Sequence, residues 1–370
     1  MSRIVIIPRC QYGYNTDYFQ MANRLAGKNI DVEMICFDQG FRKVEPPDNV
    51  HITYVVRKEN NKAGNFVNYL VAAMKYVWKN KKTINWVVVS ATIEFCGILP
   101  FAMKMFARDI RWIMDIRTCS VIPDERKRKV YDFLTLLSSY FFDRVTVISG
   151  LVAQRLKIKK YEVLPLGADC YVNLDEKEFD SKNLNFLYVG KFDDRRVEDL
   201  IGAFDSLCGK LSGDISRKLD IVGFGEREET NETIMNSLQN SVHRSNINYH
   251  GRKSHHEIKS LFQEATIGFS YVPVTEFFDV QPPTKTFEYI MNGIICVATN
   301  TKANSEIIND NNGILTEDNP ESLLAGIEHV ISNMSSFNSV KMSRTVTGSK
   351  WENIVDNFHV FLKKIDMKKG

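Results

Sequence analysis

The sequence predicts an α/β chain of two doubly wound halves, each built on a parallel sheet, with ligands expected between them. Three observations carry this. Short β-branched apolar runs alternate with longer amphipathic stretches along most of the 370 residues. Strands that read apolar throughout are buried on both faces, which is the mark of a parallel sheet covered by helices. The alternation then restarts near residue 185, after a polar and charged connector at 172–183, and the length suits two domains better than one.

In the first half, Val- and Ile-rich runs bounded by turn residues predict strands at 4–8, 32–37, 51–56, 86–90, 110–115, 145–149 and 162–165. Helical periodicity lies between most of them, at 18–26, 66–79, 96–107 and 126–142. In the second half, strands are expected at 185–189, 219–222, 247–249, 267–271 and 295–299, with helices at 197–207, 231–241, 255–264, 284–292, 305–310 and 320–332. A polar stretch, 333–350, precedes a last amphipathic helix at 351–365. The expected domains are residues 1–170, residues 171–350, and a terminal segment 351–370 that crosses back to the first.

Composition narrows the function. No apolar run of 18 or more residues predicts a membrane-spanning helix. The opening MSRIVIIPRC moves straight into a strand and is broken by Arg9, unlike a secretory leader. Seven cysteines, odd in number and never spaced C-x-x-C, argue against a zinc site or a disulfide framework, and for small core residues in a reducing cytoplasm. Residues 1–170 hold 26 Lys+Arg against 16 Asp+Glu, whereas residues 171–370 hold 22 against 29. The first half is therefore expected to face something anionic.

Ligands of doubly wound sheets bind where strand ends meet helix starts, and four segments stand out there. Tyr188-Val-Gly190-Lys191 closes a strand at a glycine, and Arg195 and Arg196 follow just before a helix. Such cations can grip a diphosphate bidentately; a solvated turn is the alternative. In Pro283-Thr284-Lys285-Thr286-Phe287-Glu288-Tyr289, the proline and Thr284 open a helix whose first turns carry Lys285 and Glu288. A carboxylate there can accept from two adjacent sugar hydroxyls, or simply complement the helix dipole. Val222-Gly223-Phe-Gly225 and Tyr249-His250-Gly251 are two further strand-end glycine turns.

Taken in order, these segments resemble the retaining glycosyltransferases of family four, the group 1 family. The likeness extends to Pro165-Leu-Gly167-Ala-Asp169 and to Trp351-Glu352, and covers about 145–365. It implies a GT-B fold: two Rossmann-like domains facing a central cleft, the first for the acceptor and the second for the nucleotide sugar. It implies that Lys191, Arg195 and Arg196 hold the donor diphosphate and that Glu288 binds the ribose. Gly190, Gly223 and Gly251 would line the nucleotide pocket, with Gln281, Thr284, Lys285 and Thr286 completing the donor contacts. No metal and no cofactor beyond the nucleotide sugar are expected, and UDP or GDP is the expected nucleotide.

Two departures from the pattern matter. The family often has a Glu eight positions before the residue matched by Glu288; here it is Val280, and Pro282 and Pro283 remove two backbone donors. Glu276 and Asp279 are nearby candidates for sugar hydroxyls. Lys191 replaces the usual Arg, keeping the charge and losing the fork.

In the first half, Asp115-Ile-Arg117 ends a strand and resembles an Asp-x-Arg segment of some members, which places it on the acceptor side together with Gly13. A structural ion pair is the alternative. Asp115, Arg117, Lys191, Arg196 and Glu288 are the expected catalytic set. Lys75-Tyr-Val-Trp78-Lys79-Asn-Lys81-Lys82 and Arg126-Lys-Arg-Lys129 set cations beside aromatic and apolar residues, which suits peripheral contact with an anionic membrane from the cytoplasmic side or a solvated basic face.

The expected reaction is transfer of a hexose to a glycan or lipid-linked acceptor in surface-polysaccharide assembly. A GT-B epimerase or hydrolase of nucleotide sugars, or a non-catalytic GT-B partner protein, is the alternative. The first strand leads to Cys-Gln-Tyr-Gly and not G-x-G-x-x-G, which disfavours a dinucleotide oxidoreductase. No recognised nucleic-acid module is present, and nucleic acid is not an expected partner.

Overall fold

The computed structural model describes residues 2–57, 61–93, 95–122, 124–253 and 257–367. The chain divides into two units, one of Met1–Leu166 with Trp351–Gly370, the other of Gly167–Lys350.

Unit one is built on β1 (Ser2–Ile7), β2 (Ile30–Asp38), β3 (Val50–Val56), β4 (Trp86–Ser90), β5 (Arg111–Ile116), β6 (Arg144–Val147) and β7 (Glu162–Val163). Its helices are α1 (Thr16–Ala26), α2 (Lys62–Asn80), α3 (Ile98–Met103), α4 (Glu125–Ser139) and α5 (Gly150–Arg155). The strands pair in parallel in the order β3-β2-β1-β4-β5-β6-β7. All five residues of β4 are buried, as a strand covered on both faces requires. Helix α1 starts where the Asn15 side chain accepts from the Tyr18 N–H at 3.1 Å, and it turns Tyr18, Met21, Ala22 and Leu25 inward at helical spacing. The terminal helix, Trp351–Met367, sends Trp351, Ile354, Val355, Phe358, Leu362 and Ile365 into that same core. It is last in sequence yet part of unit one because its apolar stripe is buried there.

Unit two repeats the scheme with β8 (Asn183–Lys191), β9 (Ser216–Phe224), β10 (Ile247–Gly251), β11 (Ile267–Ser270), β12 (Ile295–Thr299) and β13 (Gly313–Thr316). Its helices are α6 (Val197–Lys210), α7 (Glu228–Asn240), α8 (Lys259–Glu264), α9 (Thr284–Met291), α10 (Lys302–Ser305), α11 (Pro320–Ser332) and α12 (Ser339–Thr345). The sheet order is β10-β9-β8-β11-β12-β13, again all parallel. Both sheets thus reverse strand order in the middle, at β1/β4 and at β8/β11. The loops leaving those strand ends diverge, which is where doubly wound sheets hold ligands.

Several elements differ from the sequence reading. Strand β13 and helices α5 and α12 are additional. Four-residue β13 begins on a glycine after an Asn-rich turn, too short to show a strand period, and α12 buries Ser339 and Ser343 beside Met342, an inward stripe made partly of small polar residues. The helix expected at 305–310 lies earlier, because the Thr301 hydroxyl caps the Asn304 N–H at 3.1 Å and starts α10 at Lys302. The helix expected at 96–107 is shortened to α3. Residues 255 and 256 of the helix expected at 255–264 lie outside the described residues. Of the seven cysteines, all free, five are buried, Cys10 is half-buried and Cys170 is exposed. Among the described residues no helix is long and apolar enough to cross a membrane.

Candidate functional site

In unit two, the next-to-last residues of β8 and β9 are facing glycines, Gly190 opposite Gly223. Their φ values are +153° and +152°, and a Cβ on Gly223 would lie 1.8 Å from the Gly190 carbonyl oxygen. Only glycine permits this approach. It leaves bare backbone at the end of β8, next to the point where the strand order reverses. Gly223→Ala is expected to destabilise unit two by at least about 2 kcal/mol, read as a lowered urea midpoint, since positive φ and a backbone clash act together.

The cations of this region are held in different ways. Lys285, the second residue of α9, carries its amino group 4.0 Å over the Tyr188 ring. That group is sealed from solvent and has no hydrogen-bond partner. It lies 3.9 Å from where a Gly190 Cβ would stand. Burial, and then the charge of Arg195, hold the Lys285 ammonium well below its ordinary pKa. Arg195 stacks 3.8 Å over the Phe278 ring, and burial lowers its pKa as well. Two desolvated cations on aromatic faces thus repel each other beside an uncovered strand end. An anion placed there would relieve both.

Arg196 opens α6 in the left-handed region at φ +47°. It pairs with Asp318 and, at 3.5 Å, with Asp199, and donates to the Tyr271 hydroxyl at 3.4 Å. Lys191 pairs with Glu226 on an exposed surface. Asp193 and Asp194 do not neutralise these cations by direct contact. They pair with Arg227, at 3.2 and 2.6 Å. Asp193 also accepts from the backbone N–H groups of Glu226 and Arg227. Although burial would raise its pKa, those bonds bring it down to about 2 and tie the loop after β8 to the turn after β9.

Glu288 sits one turn beyond Lys285 on α9 and is 8% exposed. Its charge reaches Tyr171, whose hydroxyl is pushed up in pKa by burial first and by Glu288 second. Gln281 and Thr284 are half-buried in the approach to α9. Thr286 turns inward, its hydroxyl 2.6 Å from that of Ser270 and 3.1 Å from the Asn304 amide oxygen. A hydroxyl committed to that fully buried network is a core contact, which corrects its expected place among the donor contacts. Asp279 is likewise engaged, accepting from the Lys302 backbone N–H at 2.9 Å and pairing with its ammonium at 2.5 Å. Gly251 ends β10 at φ +63° with open space beside it. The preceding His250 lies 2.7 Å from Asp220.

In unit one, Asp115 and Arg117 form a buried pair at 2.8 Å, with side chains 1% and 5% exposed. Asp115 also accepts from the Thr146 hydroxyl at 2.6 Å, and Arg117 donates to the Leu164 and Pro165 carbonyls at 3.0 and 3.2 Å. Burial alone would lower the Arg117 pKa; the charges of Asp115 and then Asp17 override it and raise the value. Gly13 lies in the loop after β1 at φ +89°, where a Cβ would meet Val44 at 2.6 Å.

Tyr188, Phe278, Tyr271 and Asp318, which seat or pair the cations, were not singled out by the sequence. The signal for two of them was present: Tyr188 is two residues before Gly190, and Phe278 lies in an aromatic pair just ahead of the proline-rich segment.

Residues 173–343 match the family model described as glycosyl transferases group 1. No curated protein matches the chain by sequence. Among solved structures, sucrose-phosphate synthase from Thermosynechococcus elongatus is similar over 99% of both chains, with a TM-score of 0.78 at 15% identity. A glycosyltransferase from Rickettsia africae ESF-5 is similar over 100% of this chain and 99% of its own, with a TM-score of 0.72 at 16% identity. Anabaena HepE, solved in complex with UDP-glucose, is similar over 98% of this chain and 100% of its own, with a TM-score of 0.72 at 9% identity. The glycines and cations at the ends of β8 and β9, and all of α9, lie inside the matched segment, and the fold likeness extends over both units. Residues 173–343 of unit two thus carry the match to group 1 glycosyl transferases, and the chain as a whole has the GT-B fold of the glycosyltransferases it resembles.

Proposed function

We propose that this enzyme moves a hexose, with retention and without a metal, from a nucleotide-diphosphate sugar to a glycan or lipid-linked acceptor in surface-polysaccharide assembly. Lys285 carries the reading: an amino group without a hydrogen-bond partner, set against the bare backbone of Gly190 and repelled by Arg195. A diphosphate supplies the missing acceptor oxygens. Lys191 can exchange Glu226 for a phosphate oxygen at little cost, since an exposed pair is worth at most about 1 kcal/mol. Arg196 reaches the diphosphate by exchanging its half-buried pairing with Asp318 and Asp199 for phosphate oxygens. Glu288 takes the ribose hydroxyls. In unit one, Asp115, Arg117 and Gly13 serve the acceptor side.

In the transfer, the bond between the anomeric carbon and the diphosphate breaks, and its electron pair leaves with the diphosphate oxygen. The acceptor oxygen bonds to the anomeric carbon on the same face and passes its proton to the departing diphosphate. The cations of unit two stabilise the charge that develops there.

UDP-sugars are the first probe, because Anabaena HepE was solved with UDP and with UDP-glucose. Calorimetry against UDP-, GDP-, ADP- and CDP-sugars tests the reading, which fails if none binds. Nucleotide released from a bound sugar nucleotide without any acceptor would instead indicate a hydrolase.

The ribose role has its own test. Hydrogen bonds to a charged group are worth about 1.5–3 kcal/mol, so Glu288→Gln is expected to weaken UDP about 10- to 100-fold. Affinity for inorganic pyrophosphate should be unchanged, and an equal loss for both would sink the assignment.

A further inference from the structure

Helix α4 leaves Val130 and Phe133 exposed, while Leu134, Leu136 and Leu137 are only half-buried. Its buried residues are Arg128 and Ser138. Arg128 is anchored inside by a 2.9 Å hydrogen bond to the Ile122 carbonyl. Phe133 is left 60% exposed. A helix packed on a sheet ordinarily buries its apolar stripe.

The exposed apolar surface continues past this helix. Exposed Phe133 is followed at i, i+4 spacing by Leu137 and Phe141, both half-buried. Phe141 meets Phe101 edge-on, with ring centroids 5.5 Å apart. Phe101 and, one turn later, Met105 are 65% and 71% exposed. Phe106 then meets Trp78 of α2 edge-on at 4.9 Å. Ring contacts thus join α2 to the segment after α3, and α3 to the segment after α4, and the exposed side chains of these elements give unit one an outward apolar surface of the kind that marks interaction sites.

Cations surround the face. Lys81 lies 4.1 Å over the Trp78 ring. Lys75, Lys79, Lys81 and Lys82 fall within eight residues that hold no acid. Arg126 and Lys127 begin α4, beside a surface pair of Lys129 with Glu125 at 2.5 Å.

We infer that this face docks unit one on the anionic leaflet of a membrane. The aromatic and methionine side chains would enter the boundary between headgroups and acyl chains, and the lysines would meet lipid phosphates. A second copy is the poorer occupant. A two-fold contact sets each patch against itself, bringing the lysines around Trp78 toward their own counterparts, whereas an anionic leaflet neutralises them. The surface is independent of the donor chemistry, so failure here leaves the proposed reaction intact.

Flotation of the full chain with phosphatidylcholine vesicles, with and without about 30% phosphatidylglycerol, tests the inference. Binding is expected to the anionic vesicles and to weaken with salt. Trp78 supplies a local signal, because Trp86, Trp112 and Trp351 are at most 2% exposed. Its emission should shift to the blue on binding, and the shift should vanish in Trp78→Phe. The double variant Phe101→Ser with Phe133→Ser alters exposed residues only and should melt like the parent, yet bind at least about ten-fold more weakly. Absence of flotation would overturn the inference, as would flotation equal to the parent's in the double variant. So would a stable dimer in sedimentation that the double variant dissociates.

Discussion

Lys285→Met is expected to raise the melting temperature of the ligand-free enzyme while lowering its affinity for UDP by at least about 100-fold. The two effects have one origin. The amino group of Lys285 is buried over Tyr188 without an acceptor, and Arg195 repels its charged form. Burying an unpaired polar group costs about 1–3 kcal/mol. A methionine of similar length removes that cost, so a gain of about 3–8 °C is expected for a unit of this size. In the complex the same group acquires phosphate oxygens, and methionine offers them nothing.

The pH dependence follows from the direction of the shift. A lysine whose folded-state pKa is depressed binds fewer protons folded than unfolded between that lowered value and its ordinary 10.5. Stability should therefore rise with pH across that window, and this component should be missing from the methionine variant. An anion restores the proton, so donor binding should take up protons and weaken as pH rises. Calorimetry in two buffers of different ionisation enthalpy reads the uptake directly. Unchanged UDP affinity in Lys285→Met, with no proton uptake in the parent, would remove the central observation from the proposed function.

Much of this was legible in the sequence, for reasons that differ from element to element. The buried strands Trp86–Ser90 and Ile295–Thr299 coincide with their runs in the sequence, because strands covered on both faces hold little except apolar residues. Helix α11 was bounded correctly by Asn319 and Pro320, a capping residue followed by a proline that fits a first turn. Gly190 and Gly223 were recognisable as strand-end glycines, and the structure adds that they face one another and that Gly223 has no room for a side chain.

The partners of the cations were not legible. Arg196 meets Asp318, which is 122 residues away, and Lys191 meets Glu226 across the ends of two strands. Charge patterning along a sequence carries no record of such pairings. Asp193 and Asp194 stand beside Arg195 and Arg196 in the sequence, yet both turn to Arg227. Thr286 illustrates a different limit. A hydroxyl in the first turn of a helix reads as a ligand contact or a core contact with equal ease, and its inward neighbours Ser270 and Asn304 come from other elements.

Asp115→Asn is expected to destabilise unit one by about 3–5 kcal/mol, or roughly 10 °C in melting temperature. Asp115 is fully buried, and its carboxylate balances the guanidinium of Arg117, which is itself 7% exposed. Asparagine retains a hydrogen bond to Arg117 or to Thr146 but leaves a buried cation without its hydrogen-bonded counter-charge, with Asp17 the remaining acid that acts on it. Arg117 keeps its bonds to the Leu164 and Pro165 carbonyls, which hold it in place and prevent escape to solvent. Removing both charges together, Asp115→Leu with Arg117→Met, should recover most of the lost stability, because the desolvation cost of the pair disappears with it. Urea unfolding of the single and double variants closes the cycle. The same stable double variant then decides the acceptor-side role. Parental turnover would make the pair structural only, whereas a folded protein with parental UDP affinity and turnover reduced by at least about 100-fold is the expected result, since one misplaced acceptor contact suffices for such a loss.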